Sequence, residues 1–288
     1  ITADLGFGVF DEIRNEYPDN FINVGVAEQN MVGIATGLAL QGFKIFTYSI
    51  ANFATLRCLE QIRNDASYHE LNINVVSVGG GFSYGALGMS HHASEDISIM
   101  RAIPGITVST PSSNYEAVET TKYLVNSHGV GYLRIDKSSI SDDKFIEKEF
   151  NFGKCRKLQE GQEVSIFCCG GIIEEAYLAA NRLKEHGIGC RIMSTHTVKP
   201  IDVNSIQKAS KETKGIITLE EHNKIGGLGG AISEICMNHS IRPGFFKSIG
   251  IEDTFSTVVG SQKFLRKYYK LDSIFIEKEI KTLLELYG

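Results

Sequence analysis

Residues 21–42, FINVGVAEQNMVGIATGLALQG, decide how the whole chain is read. Phe21 to Val26 is a short apolar run rich in branched side chains, which predicts a strand buried on both faces. Met31, Ile34, Ala35 and Leu38 then recur at helical spacing and the run stops at Gly42, so a strand feeds a helix with Glu28 at the joint. Open α/β sheets place their ligands at such joints. Taken by itself, a glutamate in a first helical turn serves equally to complement the helix dipole, worth about 0.3–1 kcal/mol.

The 288 residues suggest two domains of ordinary size, and 42% hydrophobic with 22% charged residues is the composition of a soluble globular chain. A formal net charge of -5, with no basic stripe interleaved with aromatics, speaks against a nucleic-acid partner. No apolar run reaches the roughly 18 residues that span a bilayer and no secretory leader opens the chain, so the expected location is cytoplasmic. The sequence starts at Ile1 on what reads as a strand end, from which an upstream piece is expected. The six cysteines lie mostly in apolar segments without zinc-type spacing and are expected as buried, reduced thiols.

Strand and helix alternate outward from the joint. Phe10 to Tyr17 is expected as a helix halted by Pro18, Phe43 to Tyr48 as a strand, Ser49 to Asn64 as one helix and Ile73 to Val78 as a further strand. The glycine-dense stretch 79–96 lets backbone approach a ligand, but it lacks the lysine and spacing of a phosphate loop. Ser90 to Met100 is expected as a helix carrying His91 and His92. Adjacent histidines point apart and chelate poorly, so no metal is expected on this chain; His91 suits a polar group over a reacting carbonyl, because imidazole donates a hydrogen bond or moves a proton near neutral pH.

Tyr115 to Asn126 reads as a helix and Gly131 to Lys137 as a strand carrying Arg134. Ser138 to Gln162 is polar, with Ser138-Ser139 and Ser141-Asp142-Asp143, and reads as a linker. Strands at Val164 to Cys169, Gly189 to Ser194 and Ile216 to Leu219, with a helix at Glu174 to His186, make a second alternating unit. The fold class is therefore α/β, two domains with mainly parallel sheets flanked by helices, divided as 1–140, a linker at 141–162, and 163–288.

The run Gly25-Val26-Ala27-Glu28-Gln29-Asn30-Met31-Val32-Gly33-Ile34-Ala35-Thr36-Gly37-Leu38-Ala39 resembles the G-[IV]-A-E-Q-N-M-[VI]-G-[IV]-A-x-G-L-A run of transketolases, above all the separately encoded C-terminal subunits of split transketolases. In that family the glutamate bonds the aminopyrimidine ring of thiamine diphosphate. The resemblance implies that Phe53 stacks on that ring and that Arg57, at the matching place before Glu60-Gln61-Ile62-Arg63-Asn64, belongs to the same pocket. Ile50 and Leu56 stand where relatives carry aromatics, leaving an aliphatic wall that excludes water but loses some stacking. Asp4 resembles the aspartate of the family's A-D-L opening, which lies near the cofactor, and it serves equally as a helix cap. Ser90-His91 and Glu95-Asp96 match the end of the family's T-H-x-G-x-x-x-G-E-D-G-x-[ST]-H-Q-x-x-E-D stretch. Its first histidine falls at Val78-Gly79, its acidic pair at Ala86-Leu87 and its glutamine at His92, so the resemblance implies a sugar other than the standard ketose and aldose. His91, His92 and Arg134 are the implied substrate contacts, Arg134 gripping a phosphate.

Val198-Lys199-Pro200-Ile201-Asp202, Glu220-Glu221-His222 and Gly226-Gly227-Leu228-Gly229 resemble motifs of the transketolase C-terminal domain, to which the family assigns a structural or dimer-supporting role. The family holds Mg2+ and the cofactor's diphosphate with a G-D-G element and a downstream asparagine that this sequence does not contain. The resemblance thus implies a second, N-terminal subunit carrying that half of the site, an α2β2 assembly, and transfer of a two-carbon ketol unit between sugars. The beta subunit of a 2-oxo acid dehydrogenase and a non-catalytic partner subunit stand as alternatives.

Overall fold

The branched and aromatic run Ile45–Ile50 (β1) lies parallel to Ile73–Val78 (β2), Ile45 opposite Ile73 and Ile50 opposite Val78, in a computed structural model that describes residues 1–137 and 140–287. Before β1 come α1 (Asp11–Glu16) and α2 (Glu28–Leu40); between β1 and β2 come α3 (Ala51–Thr55) and α4 (Leu59–Gln61). After β2 follow α5 (Asp96–Ala102), β3 (Thr107–Ser109), α6 (Asn114–Asn126) and β4 (Gly131–Ile135). Parallel neighbours require helical crossovers, and both faces of β2 are accordingly buried.

The second unit contains β5 (Arg156–Gln159), β6 (Val164–Cys169), α7 (Ile173–Glu185), β7 (Cys190–Ser194), β8 (Thr197–Lys199), α8 (Val203–Glu212) and β9 (Gly215–Asn223). It ends with α9 (Leu228–Asn238), β10 (Phe245–Ile251), α10 (Gln262–Tyr268) and α11 (Ser273–Tyr287). The two five-stranded sheets run β1-β2-β4-β3-β8 and β10-β9-β6-β7-β5, parallel except for β8 and β5. The expected α/β class with mainly parallel sheets holds. β8 comes from the second half of the chain yet closes the first sheet, Val108 opposite Lys199.

Several local expectations change. Phe21 to Val26 is not a strand buried on both faces: it makes one isolated bridge, Asn23 to Thr2, at the sheet edge, and Val26 is 76% exposed. The helix expected over Ser49 to Asn64 is broken after Thr55, restarts as α4 and ends in a π turn over Ile62–Ser67. His91 and His92 lie on a loop, because the helix begins only at Asp96. Of the expected linker, Ser138 and Ser139 lie outside the described residues, and residues 156–159 form β5, the antiparallel edge of the second sheet. Arg156 anchors that stretch: its guanidinium reaches Asp142 at 2.9 Å and Glu116 at 3.6 Å and lies 4.1 Å from the Phe145 ring centroid.

The seam between the units is polar as well as apolar. Lys199 Nζ donates to the Arg101 and Ile103 carbonyls at 3.0 and 2.6 Å, satisfying the end of α5 from β8. Glu220, fully buried, accepts from the Leu228 and Gly229 backbone N–H groups at 2.6 and 2.8 Å and so occupies the start of α9. A side chain at Gly227 would collide with that carboxylate, at Gly226 with Ser98 and at Gly229 with Ser248, so close packing accounts for these three glycines without a bound dinucleotide; Gly230 is under no such constraint. His196 is stacked on Phe150 at 4.4 Å between ring centroids, and burial, then the nearby Arg156, pushes it down to about 4.

A histidine lowered in the folded state leaves the unfolded chain binding more protons below its ordinary value of 6.5, so its contribution is present above pH 6.5 and lost as pH falls toward 4. The loss of stability between those limits should be smaller in His196→Asn than in the wild type, by on the order of 1–3 kcal/mol in paired urea titrations. Identical pH slopes in the two proteins would contradict the buried neutral imidazole.

Candidate active site

Glu28 is the first residue of α2 and is 3% exposed. Its Oε1 accepts from Ser49 Oγ, at the end of β1, at 3.3 Å, and its Oε2 accepts from Arg57 Nη1 at 3.0 Å. A buried carboxylate held in this way needs its donors, since desolvation of an unpaired charge costs several kcal/mol. The break after α3 sets the geometry: Arg57 leaves the helical path, pairs with Glu28 and lies 4.4 Å from the Phe53 ring centroid. On the other side the His91 ring meets Phe53 edge-on at 5.1 Å. Five side chains from four chain segments, Glu28, Ser49, Phe53, Arg57 and His91, form one connected group.

This group borders a cleft of about 630 Å³ lined by Phe53, Leu56, Arg57, His92, Glu95 and Phe255 among others. Leu56 is half-exposed there, whereas Ile50 is buried at the end of β1. His91 Nδ1 lies 3.0 Å from Ser90 Oγ, which leaves Nε2 as the ring's other proton site. His92 is 2% exposed with Nε2 3.2 Å from the Gly85 carbonyl, and its Nδ1 has no hydrogen-bond partner among the described residues. Burial lowers its pKa, favouring the neutral ring. Burial raises Glu95, which also lines the cleft, and pushes the Cys58 thiol up to about 12.

Asn52 donates to the Ser90 carbonyl at 3.2 Å and ties the histidine loop to α3. Sequence reading missed Ser49 and Asn52. Both are small polar residues in apolar segments, and nothing in their spacing marks them.

Asp4 lies apart from the group. It is exposed, with φ +55, and its bonds run to Asn23 at 2.9 and 3.2 Å; α1 starts at Asp11, so Asp4 caps no helix. Arg134 requires a larger correction. It is 1% exposed, pairs with Asp96 at 2.9 Å, and donates to the Ala93 and Glu221 carbonyls, each at 3.0 Å. A guanidinium enclosed by protein acceptors between the two units does not grip a substrate phosphate.

A largely apolar cleft lined by Phe53 and Phe255, with the buried Glu28 carboxylate bonded behind Arg57 at its border, fits a flat heteroaromatic ring carrying hydrogen-bonding nitrogens. Among the described residues no three or more His, Cys, Asp or Glu side chains cluster as a metal site. No helix among them is long and apolar enough to cross a membrane. A second cleft of about 320 Å³, lined by Lys154, Arg191 and Asp202, lies on the second unit; Arg191 there is paired with Glu160 and Glu212 at 2.7 and 2.8 Å.

Residues 1–141 match the family model for the transketolase pyrimidine binding domain, and residues 153–274 match that for the transketolase C-terminal domain. An apulose-4-phosphate transketolase subunit of Phocaeicola vulgatus is 36% identical over 99% of this chain and 90% of its own length. The 6-deoxy-6-sulfo-D-fructose transketolase subunit SqwH of a Clostridium species is 34% identical over 89% of this chain and 79% of its own. Among solved structures, a split gene transketolase described as an inactive β4 tetramer superposes with a TM-score of 0.87 at 29% identity, covering 100% of this chain and 93% of that one.

The placement of Arg134 has a measurable consequence. Arg134→Met should lower the unfolding free energy by roughly 3–5 kcal/mol, because Asp96 is left buried without its cation. A solvent-facing phosphate ligand would change stability by less than about 0.5 kcal/mol when replaced, and that outcome in urea titration would restore the phosphate role.

Proposed function

The chain belongs to the transketolase family, and from that premise we propose that it is the C-terminal subunit of a thiamine-diphosphate-dependent enzyme that moves a two-carbon ketol unit from a ketose to an aldehyde. The observation that carries this reading is the buried Glu28 carboxylate at the start of α2, paired with Arg57, which in turn lies over the Phe53 ring. Relatives that match this chain over most of their own length are named as subunits. This supports an N-terminal partner that carries the diphosphate and Mg2+ half of the site in an α2β2 assembly.

Bound thiamine diphosphate supplies an electron sink that allows a carbon–carbon bond beside a ketone to break and re-form. The chain's own groups prepare that chemistry. Glu28 shares a proton with a ring nitrogen of the aminopyrimidine through its carboxylate. Phe53 offers its face to the ring, and Leu56 with the buried Ile50 keeps water from it. Arg57 holds Glu28 in place from the cleft side, so its role is orientation of the carboxylate. His91 Nε2 donates to, or takes a proton from, the substrate oxygen, and the His92 ring, held through Nε2 near the Gly85 carbonyl, lines the cleft beside it. Asp4, bonded to Asn23, is given no direct role.

The sugar is proposed to be atypical. The family's acidic pair is replaced by Ala86-Leu87 on an exposed turn, and Arg134 is buried. Relatives are named for apulose 4-phosphate and for 6-deoxy-6-sulfofructose.

Reconstitution with the partner subunit, thiamine diphosphate and Mg2+, assayed against a panel of ketose donors, tests the reading. Glu28→Ala should lower turnover by at least about 100-fold while the assembled mass seen by light scattering stays unchanged. Wild-type rates in that variant would refute the role of Glu28, and efficient turnover of xylulose 5-phosphate would refute the atypical sugar.

A further inference from the structure

The loop 81–93 carries His91 and His92 and is closed at its neck by a two-way bridge: Gly81 N–H donates to the Ala93 carbonyl and Ala93 N–H to the Gly81 carbonyl, both at 3.0 Å. One side of that neck is gripped directly from the other unit, and the other side through Arg134 of β4, which the other unit engages in turn. Glu221 on β9, 1% exposed, accepts from the Phe82 backbone N–H at 2.5 Å, from Gln262 Nε2 at 2.9 Å and from the Arg266 guanidinium. The Glu221 backbone carbonyl accepts from Arg134 Nη2, and the same nitrogen donates to the Ala93 carbonyl.

Further contacts extend the grip. Asn223 N–H donates to the Ser94 carbonyl at 2.8 Å, and Gly260 N–H to the Gly85 carbonyl at 3.2 Å. The Phe82 ring stacks on Tyr269 at 5.3 Å and meets His92 edge-on at 5.1 Å. Gly81 permits the close approach: a Cβ there would lie 2.6 Å from Glu221 Cγ and Oε1, at a backbone φ of +58.

We infer that the C-terminal unit positions the substrate-facing histidine loop, with Glu221 and Arg134 as positioning residues whose clasp on Phe82 and Ala93 fixes where His91 and His92 stand. The role of these histidines rests on the proposed transketolase reading; the clasp itself does not. It assigns the family's Glu220-Glu221-His222 run a task beyond scaffolding. Glu220 and His222 are spent at the seam, on the α9 start and the Ser98 N–H, so Glu221 is the member of the run that reaches the loop.

Two readouts separate the parts of this inference. Hydrogen exchange on the unliganded chain needs no activity: in Glu221→Ala the amides of 81–93 should exchange about 10–100-fold faster, the fold-change expected for loss of one charge-assisted hydrogen bond, while the amides of α2 and β6 keep wild-type rates. Glu221→Gln, which keeps an acceptor for Phe82 N–H, should recover most of the protection. Gly81→Ala, acting from the loop side, should reproduce the exchange pattern of Glu221→Ala through displacement of the carboxylate.

In the reconstituted enzyme the same three variants should raise donor KM about 10-fold or more, with kcat within about 3-fold of wild type and Glu221→Gln the mildest. Unchanged exchange in 81–93, or acceleration spread evenly over the second unit, would overturn the clasp. Local acceleration with unchanged KM would overturn its link to substrate. An inactive wild-type reconstitution would count against the proposed function and leave the exchange result to decide the clasp.

Discussion

A buried guanidinium must be answered by opposite charge and by acceptors, and around Arg134 two sheets supply both: carboxylates near Nε and Nη1, and two backbone carbonyls for Nη2. Asp96 comes from the first unit, the carbonyl of Glu221 comes from the second, and Asp136 stands 3.8 Å away on the segment that leads out of β4. A second guanidinium, Arg266, faces the Glu221 carboxylate and lies 3.8 Å from Glu175. Removal of any one member leaves a charge in a low-dielectric seam, so the network behaves as one unit rather than as separate pairs. The docking of the two sheets is thereby specified by charge as well as by apolar area.

The cleft inherits its shape from that seam. One side of the cleft, Phe53 and Arg57 with Glu28 and Ser49 bonded behind Arg57, belongs to the first sheet and its flanking helices. One of its walls is the histidine loop, whose neck is held from the second unit, and Phe255 of the loop after β10 lines it directly. Under the proposed function, the first-sheet side would place the carboxylate that shares a proton with the cofactor, and the walls would decide what reaches it. These two tasks rest on different parts of the chain, which allows substrate preference to change while the chemistry of the first-sheet side is kept.

Much of this was legible in the sequence, and the exceptions share a cause. β2 and β6 fall where continuous apolar runs place them, since strands buried on both faces leave that signature. The helix that starts at Glu28 is visible from the helical spacing of Met31, Ile34, Ala35 and Leu38. Phe21 to Val26 has a core-strand composition but sits at a sheet edge, because edge position depends on what packs beside a strand and not on its own residues. The helix expected over Ser49 to Asn64 contains no glycine or proline to announce its break; the turn after Thr55 serves the pair between Arg57 and Glu28, which lie 29 residues apart. Arg134 misleads for a similar reason. Its motif supplies an arginine on a strand, while its direction is fixed by Asp96 and by a carbonyl 87 residues away. Family resemblance transfers residue identities more reliably than it transfers the partners of a charged side chain.

The strand β8 gives this architecture a consequence for modular exchange. Thr197–Lys199 lies deep in the second half of the chain, yet it completes the first sheet against β3 and its Lys199 satisfies the end of α5. A cut at residues 141–162 would therefore strip the upstream piece of a sheet neighbour and leave the downstream piece with a strand that has nothing to pair with. Recombination between relatives, or the grafting of one C-terminal half onto another N-terminal half, must match this three-residue handshake as well as the charges around it. Any division of this chain between β3 and β8 inherits the same constraint.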